Sequence, residues 1–320
     1  MLKTAITDLL NIEYPIVGGA MMFLSRARLV AAISEAGAVG VLASAIYKNR
    51  EEFRDELKKI KDLTDKPVAV NLCLFPMIRP IDNQDYLDIL LEEGIPIVET
   101  SGHELPEDLV NNIKSSGVKW MHKSAAIRHA QRAERMGADA LTVVGYENGG
   151  ATGKYDITTM VLVPATKEAV NVPVIGGGGV VDGRGLAALL ALGADGVIFA
   201  SRLVLAEECE IHENVRKKLC EASIYDTTLV MRSIGATHRA FKNEAALKVH
   251  EMDEKGGNLE EMLPLIVGAQ SEKVYFDGET DVGMNYISQG VGLMNEVKPA
   301  AEIIHDMVEQ AEGIFKNFSS

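Results

Sequence analysis

Cysteine, tryptophan and positive charge are all scarce in this chain. Its 320 residues hold three cysteines and one tryptophan, and Phe, Trp and Tyr together make up 5%. Cys73, Cys209 and Cys220 are odd in number and show no C-x-x-C or zinc-type spacing, so neither a disulfide framework nor a zinc site is expected. Each reads instead as a small buried hydrophobe. Lys and Arg number 32 against 46 Asp and Glu, a formal net charge of -14. That balance repels phosphate backbones and anionic bilayers, which excludes nucleic acid and membrane surfaces as partners and leaves a small-molecule substrate. No uncharged apolar run reaches transmembrane length, and the opening MLKTAITDLL lacks the sustained apolar core of a signal peptide. A cytoplasmic protein is expected. The seven histidines show neither H-x-x-x-H nor H-E-x-x-H spacing, and Walker A and G-x-S-x-G segments are absent, so no metal site or serine-hydrolase elbow is expected.

What is present is ordinary globular composition, 47% hydrophobic and 24% charged, on a chain long enough for one large barrel plus a subdomain. Short Val/Ile-rich runs alternate with longer amphipathic stretches, as parallel strands covered by helices do. The spacing predicts strands at 14–18, 38–42, 66–71, 95–99, 118–122, 140–145, 172–176 and 196–200, and helices at 26–35, 50–61, 86–93, 107–115, 125–136, 157–169 and 185–192. Gly37, Gly94, Gly117, Gly137 and Gly193 follow predicted helix ends, where a left-handed residue closes the helix without a Cβ clash. Eight such units argue for an α/β fold, a (β/α)8 TIM barrel, over a doubly wound open sheet. After Ala200 the pattern turns helix-like and charged. The expected division is a barrel over residues 1–205, a helical insert over 206–285 that covers the mouth, and a return to the barrel over 286–320 with a final helix at 298–315.

Loops after barrel strands build the active site, so residues at strand ends carry the chemistry. Gly18, Gly19, Ala20 and Met21 follow the first strand, Gly149 and Gly150 the sixth, and Gly176 to Gly179 the seventh, in I-G-G-G-G-V-V-D-G-R-G. Consecutive glycines let amides approach a phosphate unobstructed, and the eighth strand ends in F-A-S-R, which brings Ala200 and Ser201 alongside. Asn71, Glu99, His122 and Lys123 end their strands and are expected to point at the mouth. There Asn71 and Lys123 could bond a flat heterocycle, so a phosphorylated planar cofactor is the joint expectation.

The segments Y-P-I-V-G-G-A-M-M, K-P-V-A-V-N-L, H-K-S-A-A-I-R-H-A, G-Y-E-N-G-G-A-T-G, V-P-V-I-G-G-G-G-V-V-D-G-R-G and F-A-S-R, in this order, resemble the nitronate monooxygenase superfamily. It includes flavin-dependent nitronate monooxygenases, FMN-dependent NADH:quinone reductases and enoyl-acyl-carrier-protein reductase II. The resemblance implies FMN as cofactor, with NADH or NADPH as co-substrate. It would set the flavin ring against Ala20, Met21, Asn71 and Lys123, with Gly150 near the reactive edge and the phosphate on Gly178, Gly179, Ala200 and Ser201. Two positions depart from the family: Ala151 stands where relatives carry a histidine, and Ala20 replaces a glycine in a segment that has lost its glutamine. The catalytic group is therefore unknown from sequence, and Lys154, Tyr155 and Asp156 of the same loop read as solvated loop residues. The resemblance implies hydride transfer from NAD(P)H through flavin to a quinone-like or enone acceptor. Its alternatives are a nitronate monooxygenase using dioxygen and a non-catalytic flavin-binding protein. A homodimer is left open.

Overall fold

The computed structural model describes residues 2–75 and 82–318. Eleven strands occur among them: β1 Ile16–Gly18, β2 Val39–Ala43, β3 Val68–Cys73, β4 Ile97–Ser101, β5 Lys119–Ser124, β6 Ala140–Val144, β7 Gly150–Ala151, β8 Val174–Gly177, β9 Gly196–Phe199, β10 Thr227–Val230 and β11 His238–Phe241. Strands β1 to β6, β8 and β9 run parallel in chain order and close through β9 on β1, a TIM barrel. All eight barrel strands overlap the eight expected from sequence. The five glycines singled out as helix stops all have positive φ, between 72° and 99°, the region where any side chain would be strained.

The covering helices follow from spacing and caps. In Arg50–Leu63 the side chain of Asn49 accepts from the Glu52 amide, two glutamates occupy the first turn, and Phe53, Leu57 and Ile60 lie buried on one face. Helix Ala5–Leu10 plugs the N-terminal end of the barrel, where Ile6 and Leu10 join the inner cluster of Val17, Val41, Ala69, Ile97, Met121, Ile175 and Ile198. Helix Ala300–Phe318 completes the outer ring against Gly183–Ala191. A Cβ on Gly183 would lie 2.3 Å from the Met307 carbonyl oxygen, so only glycine permits this approach. No helix of the described residues is long and apolar enough to cross a membrane.

Between Ala206 and Asp281 the structure differs from the sequence expectation of helices alone. Strands β10 and β11 pair antiparallel, and β11 also pairs antiparallel with β7 from the loop after β6. The run T-T-L-V is a buried strand of only four residues, too short for its alternation to stand out from the flanking helices. A separate small cluster of Val230, Met231, Ala240, Ala246, Val249, Met262 and Met284 forms the core of this region.

A second difference concerns His122. Side chains alternate along a strand, and Met121 belongs to the inner cluster, so His122 points outward with Trp120. Its Nδ1 lies 2.9 Å from Thr100 Oγ1, which also accepts from Trp120 Nε1 at 2.9 Å. His122 thus ties β5 to β4 on the outer face of the barrel wall and is no part of the mouth. Burial, with smaller contributions from His129 and Lys123, pulls its pKa down to about 4 from an ordinary 6.5. Its native pKa lies below the unfolded one, so this contribution to stability is complete above pH 6.5 and is lost as pH falls through 4. The loss amounts to about 3 kcal/mol at the acid end. Urea denaturation at pH 7 and pH 4 should show this drop, and His122→Gln should shrink it; an unchanged drop would mean that other groups account for acid lability.

Candidate active site

Alternation carries one set of polar side chains into the barrel. Asn71 follows inner Ala69 by two, Glu99 and Ser101 follow inner Ile97, Lys123 follows inner Met121, and Thr142 follows inner Ala140. The register sets Asn71 beside Glu99, Ser101 beside Lys123 and Lys123 beside Thr142. These five therefore form one polar ring at the C-terminal end of the inner wall. Glu99, fully buried, is its hub: Oε2 accepts from Asn71 Nδ2 at 2.5 Å and pairs with Lys123 Nζ at 3.2 Å. Asn71 and Ser101 exchange bonds at 3.2 Å, and Ser44 Oγ donates to the Asn71 carbonyl at 2.7 Å. Two buried oxygens of the ring, Glu99 Oε1 and Thr142 Oγ1, have no hydrogen-bond partner among the described residues. Buried polar atoms left unpaired cost 1–3 kcal/mol or so each, and a polar ligand above the ring would relieve that.

Opposite, the loops after β8 and β9 converge. Gly178 and Gly179 have φ of 114° and 74°, and no loop or turn carbonyl among the described residues accepts from their amides or from those of Ala200 and Ser201. Successive free amides in such conformations make an anion cradle. The helix Thr159–Ala169 is unavailable for this purpose, because Glu147 Oε2 already accepts from the Thr159 amide at 2.9 Å and from its hydroxyl at 2.8 Å. Helix Gly183–Ala191 is likewise capped by Asp182, which accepts from Arg184 N. A Cβ on Gly178 would lie 2.4 Å from Thr159 Oγ1, so the glycine is required by the loop's own packing as well as by any ligand.

Ser201 differs from expectation in one respect: its Oγ accepts from the Ser288 amide at 2.9 Å and so is already engaged. Sequence reasoning missed Ser288, whose own buried Oγ has no partner among the described residues. It belongs to a loop packed on the cradle, where a Cβ on Gly290 would come 2.8 Å from the Gly179 carbonyl. No motif marks it, since only the fold brings 288–290 to 178–181. A cleft of ≈ 520 Å³ flanks the cradle on the helix side, lined by Gly178, Gly179, Leu189, Tyr225 and Gln289 among others.

Ala20 and Met21 form the rim above β1, where the Met21 amide donates to Ser25 Oγ at 2.8 Å. Phe23 completes this turn at φ 69°, a left-handed conformation seldom held by a bulky residue. Gly150 and Ala151 are held over the mouth as β7, and Asn148 Nδ2 donates to the carbonyls of Gly149 at 2.6 Å and Ala151 at 3.2 Å. A Cβ on Gly149 would lie 2.6 Å from the Ile287 carbonyl carbon. Lys154, Tyr155 and Asp156 are turned outward and tied up: Asp156 pairs with Arg232 at 2.8 Å, and Lys154 Nζ sits 5.1 Å from the centre of the Tyr155 ring.

The family model for nitronate monooxygenase matches residues 3–310. The chain belongs to the nitronate monooxygenase family. It is an oxidoreductase of a flavin-dependent family. Over 243 residues, 76% of this chain and 67% of the relative, it is 34% identical to (3aS,4S,5R,7aS)-5-hydroxy-7a-methyl-1-oxo-octahydro-1H-indene-4-carboxyl-CoA dehydrogenase of Rhodococcus jostii. It is 27% identical to a probable nitronate monooxygenase of Staphylococcus saprophyticus, covering 79% of this chain and 82% of that one. The structure of FabK from Thermotoga maritima superimposes with a TM-score of 0.92 at 32% identity, over 100% of this chain and 99% of that one.

The Glu99–Lys123 pair gives a direct test of the ring. Removing one member of a buried ion pair leaves the other uncompensated, typically at 3–5 kcal/mol or so. Lys123→Met should therefore destabilise the apoprotein by about that much in urea, and adding Glu99→Gln should recover most of the loss. Equal stabilities of the wild type and Lys123→Met would remove Glu99 as the hub.

Proposed function

We propose that this protein binds FMN at the barrel mouth, takes hydride from NADH or NADPH, and passes it to a quinone-like or enone acceptor. The observation that carries this reading is the polar ring of Asn71, Glu99, Ser101, Lys123 and Thr142 facing a cradle of unbonded amides at Gly178, Gly179, Ala200 and Ser201. The ring suits a heterocycle rich in carbonyl and imide groups, and the cradle suits one phosphate. A single cradle, with no G-x-G-x-x-G for an adenosine half, favours FMN over FAD. When bound, FMN would supply the two-electron chemistry, which no side chain of the ring can supply.

The chain's own residues would orient and insulate. Lys123 presents a cation and Asn71 an amide to the ring's carbonyl edge, Glu99 holds both in place, and Ala20, Met21 and Gly150 close the rim. The region over 206–285 would lean across the mouth and limit water access, through the β7–β11 pairing. The relative named as a dehydrogenase of an octahydroindene carboxyl-CoA thioester supports a conjugated carbonyl acceptor, because dehydrogenating a saturated thioester is the reverse of adding hydride to the β-carbon of a thioester conjugated to C=C. The second reading, oxidation of alkyl nitronates with dioxygen, is favoured by the family match itself. It needs no protein base, since a nitronate is already an anion.

Anaerobic reduction separates these readings. The purified protein should be yellow and should bleach with NADH or NADPH. Bleaching by an alkyl nitronate but by neither nicotinamide would contradict the reductase reading in favour of the monooxygenase, and bleaching by none of the three would leave a flavin-binding protein without catalysis.

A further inference from the structure

Ala151 offers no chemistry, but its partner across the sheet does. The register of β7 and β11 sets His238 opposite Ala151 and Arg239 opposite Gly150. The Thr152 amide donates to the Thr237 carbonyl at 3.2 Å, a bond that flanks the Ala151–His238 pair and does not join it. Such a non-hydrogen-bonded pair is the closer kind, with side chains on one face of the sheet and Cβ atoms about 4.5–5.5 Å apart. The small Ala151 methyl leaves the imidazole room on that shared face. Arg239 takes the other face, where its guanidinium donates to the Tyr146 carbonyl at 3.0 and 3.2 Å and to Thr227 Oγ1 at 3.1 Å.

The ring of His238 is fixed on two sides. Nδ1 lies 2.7 Å from the Ala236 carbonyl oxygen. A carbonyl only accepts, so Nδ1 carries the hydrogen. The Tyr286 ring packs against the imidazole at 5.4 Å between centroids. Nε2 makes no hydrogen bond to any described residue, so it bears a lone pair in the neutral ring and an N–H in the protonated one.

From this geometry we infer that His238 is the proton-transfer residue of the site and that its Nε2 delivers the proton that completes reduction of a conjugated carbonyl substrate. The inference rests on the reductase reading above. In the step, hydride originating from NAD(P)H forms the new C–H bond at the β-carbon of C=C–C=O, and the π electrons move toward the carbonyl to give an enolate. The Nε2–H bond of the imidazolium then breaks, and its proton forms the C–H bond at the α-carbon. The substrate gains two electrons and NAD(P)H loses two. Neutral His238 regains its proton from water.

Burial holds the His238 imidazole below its ordinary pKa, and the Ala236 carbonyl opposes this in part. The elements around it add little charge. Strand β7 and its Thr152 and strand β10 bring no titratable group. Tyr286 is a phenol pushed up by burial, and Asp156 and Arg232 neutralise each other at 2.8 Å. The donor is the protonated ring, so turnover falls as pH rises past the pKa of His238, and neutral pH lies on that descending limb.

The test uses the flavin-loaded enzyme, NADPH and cyclohex-2-enone as probe. In the unmodified protein, kcat should fall about tenfold per pH unit above the His238 pKa measured by histidine NMR. His238→Gln should lower kcat on the acid side by about 10²-fold or more and abolish the limb. Placing an imidazole on the same sheet face from the other strand, as Ala151→His in the His238→Gln background, should restore a pH-dependent limb. Independently of turnover, cyclohex-2-enone should shift the His238 NMR pKa in the unmodified holoenzyme, because the bound enone sets its α-carbon against Nε2 and displaces solvent from it. A His238→Gln enzyme with the wild-type rate and profile, a pH-independent wild-type rate, or a His238 pKa that ignores the enone would each overturn the assignment. Failure of NADH and NADPH to bleach the flavin would sink the reductase reading separately, leaving the NMR titration to decide on His238.

Discussion

The site depends on one buried carboxylate. Glu99 is wholly shielded from water on the inner wall of the barrel, and an ionised carboxylate there is costly unless paired and hydrogen-bonded. Asn71 from β3 and Lys123 from β5 meet that demand from both neighbouring strands, and Ser101 locks Asn71 in turn. The consequence is orientation. Side chains that would otherwise sample several rotamers are held at the mouth by a group they must satisfy, while Glu99 Oε1 and Thr142 Oγ1 remain for a ligand to complete. A closed barrel is what makes this possible, because its inner wall brings five polar groups from four strands into one ring.

The mouth itself is assembled from distant pieces. The loop after β6 leaves the barrel as the two-residue β7 and pairs with β11, while the segment carrying Ser288 and Gly290 packs on the glycine cradle and donates to Ser201. Glycines make these approaches possible where the backbones nearly touch, at Gly149 against Ile287 and at Gly290 against the Gly179 carbonyl. Glu147 and Asp182 occupy the two neighbouring helix starts. The amides at the ends of β8 and β9 are left unbonded beside them.

How much of this was legible in the sequence follows from the range of the interactions involved. Barrel strands and their glycine stops are written in local periodicity, so all eight strands and the five glycine stops could be read directly. Asn71, Glu99 and Lys123 were legible as strand-end polar residues, but His122 looked equivalent to them; only the register and the inward parity of Met121 separate it from the ring. Strand β11 was not legible. Its pairing joins segments far apart in the chain, and four residues carry too little alternation to reveal a strand. His238 and Ser288 were invisible for the same reason: each acts across a contact that the sequence does not encode locally.

In the proposed complex one mononucleotide spans ring and cradle. A crystal structure of the protein with FMN tests it most directly. The phosphate should lie on the amides of Gly178, Gly179, Ala200 and Ser201, and the isoalloxazine edge within hydrogen-bonding reach of Asn71 and Lys123. A phosphate bound elsewhere, or an isoalloxazine ring that leaves Glu99, Asn71 and Lys123 uncovered, would contradict it.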